Sequence, residues 1–83
     1  MRYTVVLEPS AERDLAEVWM RSRLKHAINQ AVDRIDSELS SRPQDCGESR
    51  EHDRRAFYVW PLGVSYIIQE DDRLVRIISV WQT

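Results

Sequence analysis

The run Tyr3-Thr4-Val5-Val6-Leu7-Glu8-Pro9-Ser10-Ala11-Glu12-Arg13-Asp14-Leu15 changes its hydrophobic period once, and that change decides the fold. Tyr3 to Leu7 is aromatic and β-branched, which predicts a strand. Glu8-Pro9-Ser10 ends it and opens a helix, because proline fits the first helical turn, where no backbone N–H is needed. From Ser10 onward, Ala11, Leu15, Val18 and Trp19 fall on one helical stripe, with Glu12, Arg13, Asp14 and Glu17 opposite.

Arg21-Ser22-Arg23 breaks the stripe, and a second one begins through Leu24, Ile28, Ala31, Ile35 and Leu39, bordered by Ala27 and Val32. A longer helix ending near Ser40 is expected, joined to the first by a tight turn. The two then form an antiparallel hairpin, with Arg21, Arg23, Lys25 and His26 at a solvated tip. Ser41 to Asp53 contains Pro43, Gly47 and almost no apolar residue, so it reads as a connection. A connection that long in so small a chain is often functional. Its surroundings are mixed in charge, since Arg42, Arg50, Arg54 and Arg55 are balanced by Asp45, Glu48, Glu51 and Asp53.

The remainder predicts strands at Ala56 to Trp60, Val64 to Gln69 and Leu74 to Trp81, with turns at Pro61-Leu62-Gly63 and Glu70-Asp71-Asp72-Arg73. The architecture is α+β, a two-layer sandwich in the order β-α-α-β-β-β. A helical hairpin packs on a small, mostly antiparallel sheet, and the first strand returns parallel to the last. Leu15, Val18, Trp19, Ile28, Ile35, Leu39, Tyr66, Ile68 and Ile78 are expected in or around one core. Strict alternation in the last strand sets Leu74, Ile78 and Val80 on one face and Val75, Ile77 and Trp81 on the other. The hairpin covers only one of them, so an apolar outer face is expected to be left for a partner or a second copy.

At 83 residues the chain suits one domain, 1–83, that buries only about 60% of its unfolded surface. Apolar residues make up 42% and charged residues 31%, as in ordinary globular domains. There is no apolar run of about 18 residues to span a membrane, and the apolar start is too short for a secretory signal, so a cytoplasmic protein is expected. Cys46 is the only cysteine, which rules out an intrachain disulfide and a cysteine-rich zinc site; neither metal nor cofactor is expected. A net charge of -2 disfavours binding dominated by nucleic-acid phosphates. Of the 12 basic residues all but Lys25 are arginine, whose planar fork suits carboxylate or phosphate.

The element order, the opening Leu7-Glu8-Pro9-Ser10-Ala11-Glu12-Arg13-Asp14-Leu15, and the pair Gly63-Val64-Ser65-Tyr66-Ile67-Ile68 and Val75-Arg76-Ile77-Ile78-Ser79-Val80 together resemble the RelE/ParE superfamily of bacterial toxins. The resemblance covers nearly the whole chain. It implies a toxin of a type II toxin–antitoxin system, neutralised by an antitoxin encoded nearby, with a ribosome or gyrase target.

Cutting RNA by attack of a ribose 2′-hydroxyl needs a proton acceptor, cations for the crowded phosphate and a donor for the leaving oxygen. In the RNA-cutting branch of the family these are basic residues on the strand after the hairpin, an arginine three positions before the central-strand tyrosine, and basic or tyrosine residues past the final strand. Arg54 and Arg55 match the first group. Gly63 stands three before Tyr66, and only Trp81-Gln82-Thr83 follows Val80. The candidate catalytic residues are therefore Arg54, which can steady a phosphate but is no general base, and the imidazole of His52. The candidate partner-binding residues are Arg50, Arg54, Arg55 and Trp81. Trp19, Trp60 and Trp81 read as core or rim. No phosphate loop, nucleophile elbow or metal-binding helix appears. Three functions follow: a toxin acting mainly by protein binding, a divergent ribosome-dependent mRNA endoribonuclease, and a non-toxic interaction domain that kept the fold.

Overall fold

Strand β1 (Thr4–Leu7) gives way at Glu8 to helix α1 (Pro9–Arg21), and α2 (Lys25–Ser41) follows after a three-residue turn. The structure, a computed structural model, describes residues 2–83. Four further strands complete the fold: β2 (Glu48–Ser49), β3 (Arg55–Val59), β4 (Leu62–Gln69) and β5 (Leu74–Gln82), with a short 3₁₀ turn at Glu70–Asp72 between the last two. The sheet order is β1-β5-β4-β3-β2. β1 lies parallel to β5 and every other pairing is antiparallel, as the sequence predicts. Strand β2 lies inside the expected connection. Its two residues carry no strand signal of their own and are drawn in by pairing with Arg55 and Ala56.

The expected alternation of β5 fails at one residue. Ser65 pairs with Ser79 and Tyr66 with Ile77, so Ile78 is the extra residue of a β-bulge. The bulge turns the strand by one position, which brings Val75, Ile77 and Val80 onto the same inner face, all buried. The outer face holds Arg76, Ser79 and Trp81 opposite Ile67, Ser65 and Gly63. It is therefore mixed and not the apolar sheet face that regular alternation implies. Helix α1 satisfies the backbone here: Ser10 Oγ donates to the Ile78 carbonyl at 2.8 Å, and the Val80 N–H donates to Asp14 Oδ2 at 3.1 Å. Asp14 thus faces the sheet and not the solvent side of α1. Glu8, ahead of the helix, pairs with Arg76 of β5.

The core lies between the inner face and the helices. Ile28, Ala31, Ile35 and Leu39 of α2 meet Leu62, Val64 and Tyr66 of β4 and Val75, Ile77 and Val80 of β5. Full burial of each large apolar side chain is worth about 1.5–3 kcal/mol. Helix α1 fully buries only Ala11, while Leu15, Val18 and Trp19 border the core half-buried, as does Ile68. Ile78, at the bulge, stays half-buried and outside this cluster. No helix among the described residues is long and apolar enough to cross a membrane.

Candidate functional site

The connection between α2 and β3 is drawn into a hairpin. The Arg50 N–H donates to the Arg54 carbonyl at 2.6 Å, and the Arg54 N–H donates to Glu51 at 3.3 Å. His52 and Asp53 close the turn with φ of 61° and 62°, a left-handed conformation that these two residue types tolerate better than most. Arg50, His52 and Arg54 are thereby presented on one exposed turn. Arg50 donates to Glu48 at 2.9 Å, and this contact first, with Tyr58 second, raises its pKa above the ordinary guanidinium value.

Arg55 points elsewhere. Its Nε and Nη2 donate to the Cys46 carbonyl at 3.0 and 2.9 Å, Nη2 also reaches Gly47 at 3.3 Å, and Nη1 donates to Ser49 Oγ at 3.0 Å. Little of the fork is left for a partner. Tyr66 belongs to the same lock. Fully buried, its hydroxyl donates to the carbonyls of Pro43 at 2.8 Å and Cys46 at 2.9 Å. Burial pushes its phenol pKa up, against the opposing pull of Arg55. Together these two side chains bind the connection to the sheet, and Tyr66 is out of reach of any substrate on the outer face.

On that outer face the indole of Trp81 lies across Gly63. A Cβ at position 63 would stand 2.5 Å from Trp81 Cε2, so the ring fills the space that any side chain there would need. Tyr58, one strand over and paired with Gly63, meets Trp81 edge-on with ring centroids 5.9 Å apart. Tyr58 and Trp60 remain 52% and 66% exposed, more than a packing role requires. Behind them Ser65 and Ser79 hydrogen-bond each other across β4 and β5. The result is an aromatic pair, Tyr58 and Trp81, with Arg50 beside Tyr58 and the exposed Trp60 just past the end of β3.

Of the residues singled out in the sequence, Arg50 and Trp81 come together through Tyr58. Arg54 and His52 sit on the adjoining turn, and Arg55 is turned into the connection. Tyr58 is the residue that sequence reading passed over. The alternation Phe57-Tyr58-Val59 carried its signal, since Phe57 and Val59 pack on the core and Tyr58 must point away. As acid–base machinery the site is sparse: its groups are guanidinium, indole and phenol, with one solvated imidazole. Cys46 is buried, and burial raises its thiol pKa, keeping it protonated and inert. Among the described residues no three His, Cys, Asp or Glu side chains gather to hold a metal ion.

The fold is that of the RelE/ParE toxins. The structure superposes on the RelBE2 toxin–antitoxin complex from Mycobacterium tuberculosis with a TM-score of 0.83 at 21% identity, covering 100% of this chain and 93% of that one. Against the chromosomal ParDE toxin–antitoxin system of P. aeruginosa the TM-score is 0.72 at 13% identity, covering 99% and 97%. Against a variant of the E. coli toxin RelE in the free state it is 0.69 at 19% identity, covering 99% and 84%. No family model matches the sequence, and no curated protein matches it either.

Proposed function

We infer that this chain is the toxin component of a type II toxin–antitoxin system that acts by binding a protein target and is neutralised by an antitoxin encoded nearby. The observation that carries this reading is the pairing of Gly63 with Trp81. At the position where the RNA-cutting branch carries an arginine, an indole covers the backbone, so a phosphate-stabilising cation is replaced by a flat apolar surface. The full-length match to toxins taken from toxin–antitoxin complexes supports the class. The exposed aromatics and Arg50 supply the composition found at the energetic centres of protein interfaces, where tryptophan, tyrosine and arginine are enriched.

The test is induction of the chain in bacterial cells with and without the neighbouring reading frame. Growth arrest relieved by the neighbour, with both products purifying as one complex, supports the reading. Unimpaired growth, or arrest that the neighbour leaves unchanged, contradicts it. Trp81→Ser should weaken the arrest while leaving the protein folded. The turn Arg50 to Arg54 favours a second reading, because it places two guanidiniums beside an imidazole: a ribosome-dependent endoribonuclease with its chemistry on that turn.

A further inference from the structure

Strand β1 forms one edge of the sheet and β2 the other, and the two are finished differently. β2 is two residues long, carries Glu48 and runs straight into the Arg50–Arg54 turn. β1 reads Thr4-Val5-Val6-Leu7, with neither a charge nor a proline, the usual means of blunting an edge strand. Its pairing with β5 is parallel, and the Thr4 and Glu8 N–H groups donate to the Arg73 and Ile77 carbonyls, each at 2.9 Å. Thr4, Val6 and Glu8 therefore turn their backbone groups toward β5, while Val5 and Leu7 turn theirs away from the sheet. Among the described residues nothing takes up the N–H or C=O of Val5 or Leu7. Val6, between them on the outer face, is 38% exposed.

We propose that β1 pairs antiparallel with β1 of a second copy of this chain, about a twofold axis at Val6. In that register Val5 stands opposite Leu7 of the second copy, and Leu7 opposite its Val5. Each such pair exchanges hydrogen bonds in both directions, so every open N–H and C=O on both edges finds a partner. The ladder also ends itself. The next outward position is Tyr3, whose N–H already donates to the Ser40 carbonyl at 2.8 Å, and opposite it falls Pro9 of the second copy, which has no N–H. Centring the axis on Val5 would instead require that occupied Tyr3 group. The side chains agree with the Val6 register: Val6 meets its own counterpart on the outer face, Val5 meets Leu7 on the inner face, and Thr4 meets Glu8. No like charges are opposed within the ladder. The product is one continuous sheet whose two outer faces look the same way, with β5 and its counterpart three strand spacings, about 14 Å, apart. A pairing this short buries less than a standard interface, so the dimer is weak and forms as concentration rises. The inference uses the edge of the sheet and not its face, and so stands independently of the function proposed above.

The test is sedimentation equilibrium of the full chain over a wide concentration range, with amide hydrogen exchange read residue by residue. A monomer–dimer equilibrium is expected, in which exchange at Val5 and Leu7 slows with concentration while Val6, already bonded to β5, is unchanged. Val6→Lys and Val6→Glu should each weaken association about tenfold, because like charges then meet on the axis, and mixing the two variants should restore it. Thermal unfolding of the dilute variants checks that each one folds, and Trp81→Ser should leave the dimer intact. A monomer at every concentration, association that both variants keep, a mixture no stronger than its components, or a dimer lost in Trp81→Ser would each overturn the proposal. Exchange at Val5 and Leu7 that ignores concentration in the unaltered chain would overturn it whatever the variants do. So would protection of those amides only on adding the product of the neighbouring reading frame, which would assign the edge to that protein.

Discussion

Gly47 and Gly63 both mark close approaches, but against neighbours of different hardness. At Gly47, φ is +62° and a Cβ would fall 2.1 Å from the Ala56 carbonyl oxygen, which is backbone and cannot yield. At Gly63 the obstacle is the Trp81 ring, which can swing away from the sheet. Gly47→Ala should therefore cost about 3 kcal/mol or more, and Gly63→Ala about 1–3 kcal/mol with a shift in tryptophan fluorescence, both read from urea unfolding. Equal costs would show that the indole is as immovable as the backbone. Tyr66→Phe removes the one donor that both Pro43 and Cys46 share, and should cost about 1–2 kcal/mol while raising hydrogen exchange in the connection. Glu70 accepts from Tyr3 at 2.7 Å and from Gln44 at 2.6 Å, and these bonds, Tyr3 first, hold its pKa below the ordinary carboxylate value. A carboxylate depressed in the folded state stabilises it above the unfolded pKa and loses that contribution as pH falls through the folded one. The urea midpoint should thus drop on acidification through and below the ordinary carboxylate range, less steeply in Glu70→Gln. Tyr66 was legible as a central-strand residue. Its role as a bolt was not, because its partner Pro43 lies 23 residues away in a segment without a pattern.

Among the elements, the strands and helices that carry a hydrophobic period were legible to within a few residues, and what escaped was whatever a period cannot express. Strict alternation made both faces of β5 look apolar because it has no means of showing one inserted residue. With the bulge at Ile78, the excess apolar residues turn inward and the outer face becomes mixed. The bulge has its signature on another element, in Ser10 and Asp14, one helical turn apart on α1 and both bonded to β5. Asp14→Ala should accordingly cost about 1–3 kcal/mol by stranding the Val80 N–H, whereas Glu17→Ala should stay within about 0.5 kcal/mol. Chemical denaturation of the two variants side by side decides this, and parity between them would remove α1 as the support of the bulge. Ile35→Ala and Leu39→Ala, on the buried stripe of α2, should each cost about 2–5 kcal/mol.

For the whole molecule, sequence order alone led to the two-layer α+β arrangement and the parallel return of β1, since few topologies bury every stripe without crossing connections. The site was legible only in part. Arg50 and Trp81 carried enough chemistry to be noticed separately, but their meeting through Tyr58 depends on strand register, which no single segment encodes. The same register places Trp81 over Gly63, the observation on which the proposed binding function rests. The most direct measurement is primer extension on message from translating ribosomes incubated with the purified chain. Intact message over the time in which the chain arrests growth is the predicted result. Message cut on the ribosome, with cutting lost in Arg54→Ala or His52→Ala, would contradict that function and move the chemistry to the Arg50–Arg54 turn.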